Sequence, residues 1–172
     1  RIIEKSDYLA KYINSPETNF FKKGSNLYNL DFARKLSNKL DHIYLVEGYM
    51  DVVGLSKNGI ENAVANLGTS LTDKQILTLN QFFDDIIICF DGDESGYKAA
   101  LRAAENSIKE LRPEKQISFL FLPDGEDPDS FVNKNGKNFF IDLTKQSKIS
   151  IHQFIFSHYK KQTENNPSSM AI

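Results

Sequence analysis

The sequence predicts an α/β fold, a parallel sheet with helices packed on it. Three observations carry that prediction. Short apolar runs alternate with segments of helical periodicity in the order β-α-β-α-β-α-β, with further helices behind. One run, Ile86-Ile87-Ile88-Cys89-Phe90, is apolar at every position, as in a strand buried on both faces. Three strands end in carboxylates: Glu47, then Asp91 and Asp93, then the cluster from Asp124 to Asp129. In a parallel sheet those ends share one edge, where open α/β sheets place their ligands.

Residues 1–26 are polar and broken at Asn14-Ser15-Pro16-Glu17 and Lys22-Lys23-Gly24-Ser25, so loops and short elements are expected. Leu27, Leu30, Ala33, Leu36 and Leu40 recur at helical spacing and predict an amphipathic helix over 27–40. Ile43 to Glu47 is a strand ended by an acid. After Gly48, a helix with Met50, Val53 and Leu55 closes at Asn58-Gly59. Asn62 to Ala65 is a short strand. Thr72-Asp73-Lys74-Gln75 fits a capping box for a helix through Phe82. The strand 86–90 feeds a helix over 94–111, with Tyr97, Ala100, Leu101, Ala104, Ile108 and Leu111 at helical spacing and Pro113 as the stop. Gln116 to Leu122 is the fourth strand. Helical patterns follow over 137–146 and from a Ser150-Ile151-His152-Gln153 capping box to Lys161, and 162–172 reads as a frayed tail.

A length of 172 residues suffices for one domain with a real core, plus an appendage. Hydrophobic content of 40% and charged content of 26% exclude a disordered chain. No apolar run is long enough to span a membrane, and the first residues do not resemble a signal peptide. Arg1 in the place of a methionine points to a piece of a longer protein. Cys89 is the only cysteine, so no internal disulfide forms, which fits a reducing compartment. Its apolar neighbours make it a small buried hydrophobe. His42, His152 and His158 are scattered, and no zinc site is read. Net charge is −2 but uneven: residues 1–40 carry eight Lys/Arg against four Asp/Glu, and the rest thirteen against nineteen. A basic front on an acidic body suggests phosphate contacts at one end and cation binding at the other.

Asp91 and Asp93 stand two apart where a strand gives out, so extended chain sends both carboxylates to one side. Gly92 lets the backbone turn between them. Adjacent carboxylates repel unless something positive joins them, and a hard divalent cation with oxygen ligands is the usual answer. The alternative is a solvated turn with Asp91 or Asp93 as N-cap. Glu47 and Asp51 carry the same pair of readings. Either both face the Asp91 site, or Glu47 is a surface acid and Asp51 offsets a helix dipole. Asp127 before Pro128 reads as the N-cap of a helix, which leaves Asp124 and Asp129 without a reason. Lys11, Lys22 and Lys23 are a solvated face or a phosphate-contacting patch. Three acid-ended strands converging on one edge favour a single acidic site over separate accidents.

The motifs together resemble a known family. Glu47-Gly48-Tyr49-Met50-Asp51-Val52, Leu67-Gly68-Thr69-Ser70, Phe90-Asp91-Gly92-Asp93 with Gly96, and Leu122-Pro123-Asp124-Gly125-Glu126-Asp127-Pro128-Asp129 resemble the Toprim domain of bacterial replicative DNA primases of the DnaG type. Upstream, Tyr12-Ile13-Asn14-Ser15-Pro16-Glu17-Thr18, Phe21-Lys22-Lys23-Gly24 and Leu27-Tyr28 are similar to the segment that leads into that domain. The resemblance implies a Toprim-type parallel sheet over 41–135, the end of a basic subdomain and a linking helix over 1–40, and the start of a C-terminal helical subdomain over 136–172. It implies RNA primer synthesis on single-stranded DNA from nucleoside triphosphates, by metal-dependent nucleotidyl transfer. Glu47, Asp91 and Asp93 are the expected catalytic acids. Glu47, Asp51, Asp91, Asp93, Asp127 and Asp129 are the expected ligands of Mg²⁺, for which Mn²⁺ can substitute. Lys11, Asn14 and Lys23 fall where the family contacts nucleotide or template. A zinc-binding domain and a domain that meets the replicative helicase are implied outside these residues, in a cytoplasmic protein. A non-catalytic Toprim binding module and a phage-type primase-helicase are the competing readings.

Overall fold

A computed structural model describes residues 16–19, 21–68 and 70–165; Lys11 and Asn14 lie outside the described residues. Five strands, β1 (His42–Val46), β2 (Ala63–Ala65), β3 (Asp85–Gly92), β4 (Gln116–Asp124) and β5 (Ile149–Ser150), form one sheet in the order β2-β1-β3-β4-β5. β1 to β4 pair in parallel and β5 adds a short antiparallel edge. The helices are α1 (Leu30–Ala33), α2 (Tyr49–Lys57), α3 (Asp73–Asn80), α4 (Glu94–Ser107), α5 (Pro128–Ser147) and α6 (Ile151–Asn165). The predicted parallel sheet with flanking helices is therefore the architecture observed.

Side chains alternate along the central strands into two apolar layers. Ile43 and Leu45 join Ile86, Ile88 and Phe90 in a layer with Ile76, Leu79, Ala100 and Phe154 of α3, α4 and α6. Tyr44, Val46, Ile87 and Cys89 face a second layer with Val52, Leu55, Phe131 and Phe140 of α2 and α5. Helices on both faces explain why β3 has no polar position between Ile86 and Phe90. Burial pushes the Cys89 thiol up, away from nucleophilic chemistry.

Both capping boxes form. The Gln75 N–H donates to Thr72 Oγ1 at 3.3 Å, and the Thr72 N–H donates to Gln75 Oε1 at 3.0 Å. The Gln153 N–H donates to Ser150 Oγ at 3.2 Å, and the Ser150 N–H donates to Gln153 Oε1 at 2.9 Å.

Three local expectations are corrected. The helix over 27–40 shrinks to α1 and a 3₁₀ turn over Arg34–Leu36. Asn29 adopts a left-handed φ of 66°, and its Nδ2 donates to the Ala63 carbonyl at 2.9 Å. Tyr28 pairs with Ala65 at the sheet edge, so Leu27 is buried without being helical. The helix expected over 137–146 is the second half of α5, which begins at Pro128 and kinks where Gly136 takes φ 82°. β5 was not expected; two residues carry no periodicity to read.

Candidate functional site

Parallel register puts the acids on one edge. Leu45 lies opposite Ile88, so Glu47, just past β1, stands level with the last residues of β3. Gly92 lies opposite Asp124. The Gly92 N–H donates to the Glu126 carbonyl at 3.2 Å and the Gly125 N–H to the Gly92 carbonyl at 3.3 Å. Those two bonds draw the loop after β4 back to Asp91. A Cβ on Gly92 would sit 2.0 Å from the Pro123 carbonyl oxygen. Glycine is thus required by the approach of that loop rather than by the turn expected from sequence.

The carboxylates feel one another. Partial burial and then the charges of Asp91 and Asp93 raise the Glu47 carboxyl above its ordinary range, with Arg102 opposing. Burial and then the charges of Asp127 and Asp93 raise Asp91. Burial pushes Asp51 up to about 7, helped by Asp127 and Asp91, against hydrogen bonds from the Gly48 and Asp129 backbone. The Gly48 N–H donates to Asp51 Oδ2 at 3.0 Å. Glu47, Asp51, Asp91, Asp93 and Asp127 therefore share one electrostatic neighbourhood. Among the described residues none of the five forms an ion pair.

Two of these acids are also helix caps, as the alternative reading of the sequence had it. The Gly96 N–H donates to Asp93 Oδ1 at 2.7 Å at the start of α4, and the Ser130 N–H donates to Asp127 Oδ1 at 2.6 Å at the start of α5. Each cap occupies one carboxylate oxygen. Asp129 is placed differently. Its Oδ1 accepts from Asn133 Nδ2 at 2.6 Å, and a Cβ on Gly54 would fall 2.0 Å from that same oxygen, so its carboxylate fills a notch in α2. Glu126 is held by Lys134 at 2.6 Å, which lowers its carboxyl, and Asp124 is exposed. Lys23 lies in a loop tied to α3: its carbonyl accepts from Gln75 Nε2 at 3.2 Å, and its N–H donates to Glu17 Oε1 at 2.8 Å.

The donors fit a hard divalent cation in kind, being carboxylate oxygens with uncompensated charge. They are not gathered into a ready ligand set: among the described residues no three acid, histidine or cysteine side chains stand close enough to hold an ion. Separate carboxylates of this kind suit an ion that keeps part of its water shell. Sequence reasoning passed over Arg102 and Asn66. Both line a cavity of about 260 Å³ with Glu47, between the ends of β1 and β3 and helix α4. Asn66 Oδ1 is buried there with no hydrogen-bond partner among the described residues. A lone arginine on a helix and a lone asparagine after a strand carry no motif.

Known proteins match this architecture. The Toprim domain family matches residues 41–121, which implies divalent-metal binding, and the DNA primase catalytic core N-terminal domain matches residues 1–34. A DNA primase of Pseudomonas aeruginosa is 47% identical over 150 residues, 87% of this chain and 23% of that protein. One of Legionella pneumophila is 41% identical over 169 residues, 98% of this chain and 29% of that protein. This chain thus spans roughly a quarter of the length of the curated relatives it matches. A solved DNA primase domain from Pseudomonas aeruginosa superposes with a TM-score of 0.85 at 45% identity, covering 90% of this chain and 48% of that one. A DnaG primase catalytic domain bound to ssDNA gives 0.85 at 41% identity, covering 94% and 51%. Among the described residues no helix is long and apolar enough to cross a membrane. On the joint evidence of sheet, acid-lined edge and relatives, this chain belongs to the DnaG-type bacterial DNA primases, as a Toprim-containing part of their catalytic core.

Proposed function

We propose that this chain is part of the core of a primase that makes short RNA primers on single-stranded DNA from nucleoside triphosphates during replication. One observation carries the reading: Glu47, Asp51, Asp91, Asp93 and Asp127 act on one another at a single sheet edge, with no ion-paired cation among the described residues. In the reaction a 3′-hydroxyl attacks an α-phosphorus and pyrophosphate leaves. These carboxylates would hold Mg²⁺, or Mn²⁺ in its place; the bound ion supplies charge neutralisation of the triphosphate and of the attacking and leaving oxygens. Glu47 reaches solvent at the cavity mouth, and its raised carboxyl suits it to take or return a proton beside the 3′-hydroxyl. Asp93 and Asp127 fix the starts of α4 and α5 while each keeps a second oxygen for the site. Asp129 serves by seating α5 on α2. Lys23, with Lys11 and Asn14, is assigned to phosphates of nucleotide or template; a relative solved with ssDNA supports such a path.

We divide the chain into the end of a basic subdomain over 1–40, the Toprim domain over 41–135 and the start of a helical subdomain over 136–172. The replicative helicase would be met through a part of the protein outside these residues, in the cytoplasm. The test replaces Asp91 and Asp93 by Asn in the full-length parent protein and measures primer synthesis with Mg²⁺. Synthesis is expected to fall ~100-fold or more, in line with the loss of an electrostatic catalytic group. Wild-type rates in the double variant end the proposal.

A further inference from the structure

We propose that Glu126 is a positioning residue for the acidic edge: its carboxylate, clamped to α5 by Lys134 and Ser130, holds the loop whose backbone fixes the turn between Asp91 and Asp93. The role rests on the primase reading for the divalent ion that those aspartates would bind. Regular pairing of β3 with β4 runs to Phe90 opposite Phe121, and a register shift separates it from Gly92 opposite Asp124. The turn carrying the two carboxylates is thus not set by the regular ladder. At its centre stands glycine, the residue with the most backbone freedom. The Gly92 N–H belongs to the planar peptide shared with Asp91, and the Gly92 carbonyl to the one shared with Asp93. The Glu126 carbonyl accepts from that N–H at 3.2 Å, and the Gly125 N–H donates to that carbonyl at 3.3 Å. Residues 125 and 126 therefore hold both peptide planes between the aspartates.

The loop is held in turn from α5. Lys134 Nζ donates to Glu126 Oε1 at 2.6 Å, and Ser130 Oγ donates to Glu126 Oε2 at 2.8 Å. The Glu126 N–H donates to the Pro123 carbonyl at 3.0 Å, which closes the loop on itself. Hydrogen bonds to an ionised carboxylate are shorter and stronger than neutral ones. The Glu126 side chain is only 18% exposed, so salt and water screen its half of the clamp less than the Lys134 half. With each oxygen turned to α5, Glu126 acts on the site through its backbone rather than as a further ligand.

The test is calorimetric titration of the full-length parent protein with Mn²⁺. Removal of a cation beside an acidic edge should, by charge alone, tighten a divalent ion. Positioning demands the opposite sign. Lys134→Met is expected to weaken Mn²⁺ about fivefold, the scale of one ion pair, with recovery in Lys134→Arg. Gly125→Ala changes no charge and its Cβ finds open space, but it opposes a φ of 75°; it is expected to weaken Mn²⁺ as well. Lys98→Met is the control. Lys98 pairs with Glu94 at 2.6 Å on α4, rather than with the loop, so Mn²⁺ affinity should hold or rise. In the metal-free protein, hydrogen exchange at the Gly92 amide should quicken in Lys134→Met and not in Lys98→Met. Unchanged or tighter Mn²⁺ in Lys134→Met, or an equal loss in Lys98→Met, overturns the proposal. So does weaker Mn²⁺ without faster Gly92 exchange. Any of these beside Mn²⁺ binding that is lost in Asp91→Asn sinks the positioning role alone. Absent Mn²⁺ binding in the unaltered protein sinks the primase mechanism, and the positioning role with it.

Discussion

Asp93 caps α4 through Oδ1 and lends its charge to the acidic edge, and the two duties are chemically separable. Asn caps a helix about as well as Asp, whereas Ala forfeits the bond. Asp93→Asn is therefore expected to keep the folding stability within ~0.5 kcal/mol, while Asp93→Ala loses about 1 kcal/mol. Urea denaturation checks both, with Mn²⁺ affinity reduced in each. Equal loss of stability in the two variants would show that the carboxylate charge, not the cap, holds the start of α4. Asn80 illustrates a different residue-level point. It is 7% exposed, and neither polar atom of its side chain has a hydrogen-bond partner among the described residues. An unsatisfied buried polar group costs ~1–3 kcal/mol, so Asn80→Leu is expected to raise the denaturation midpoint.

At the scale of elements, the site depends on how α5 meets α2. The Asp129 carboxylate occupies the space that a side chain at Gly54 would need, and Asn58 Nδ2 reaches Asn133 Oδ1 at 3.2 Å across the same seam. Asp127 opens α5, so displacement of that helix moves a site carboxylate. Gly54→Ala is expected to cost ~1–3 kcal/mol by overpacking and to weaken Mn²⁺ binding in step. Denaturant melts and metal titration of the same variant measure the two effects; unaltered stability would mean that the start of α5 yields freely. Helix α1 shows the opposite balance. Its leucine spacing is helical, yet Asn29 and Tyr28 are drawn to the edge of β2, and sheet pairing overrides local propensity there.

Across the whole molecule, the acidic edge sets a pH dependence. Asp51, at about 7, and the raised Glu47 and Asp91 hold protons in the folded chain at pH values where the unfolded chain has released them. Stability must then fall as pH rises from the ordinary carboxylate range, ~4, toward 7. For Asp51 the loss is ~2 kcal/mol once solvent screening around a partly exposed group is counted. Asp51→Asn should flatten that slope. Mn²⁺ competes with protons for the same oxygens, so it should raise the melting temperature more at pH 8 than at pH 5.5. Thermal melts with and without Mn²⁺ at both pH values decide this; a larger gain at the lower pH contradicts it.

Strand and helix order, the two-faced burial of β3 and an acid at the end of β1, of β3 and of the loop after β4 were legible in the linear chain. They are written in periodicities and stop signals among near neighbours, which local sterics and hydrophobicity impose. The Asp-Gly-Asp motif was legible too, although two readings of Asp93, cap and site, turned out to be compatible. Packing alone decided the remainder: Pro123 pressing on Gly92, Asp129 seated at Gly54, and Arg102 brought across a cavity to Glu47. Those relations join residues distant along the chain. Their distances follow from how helices settle on a twisted sheet, which no short window of sequence encodes.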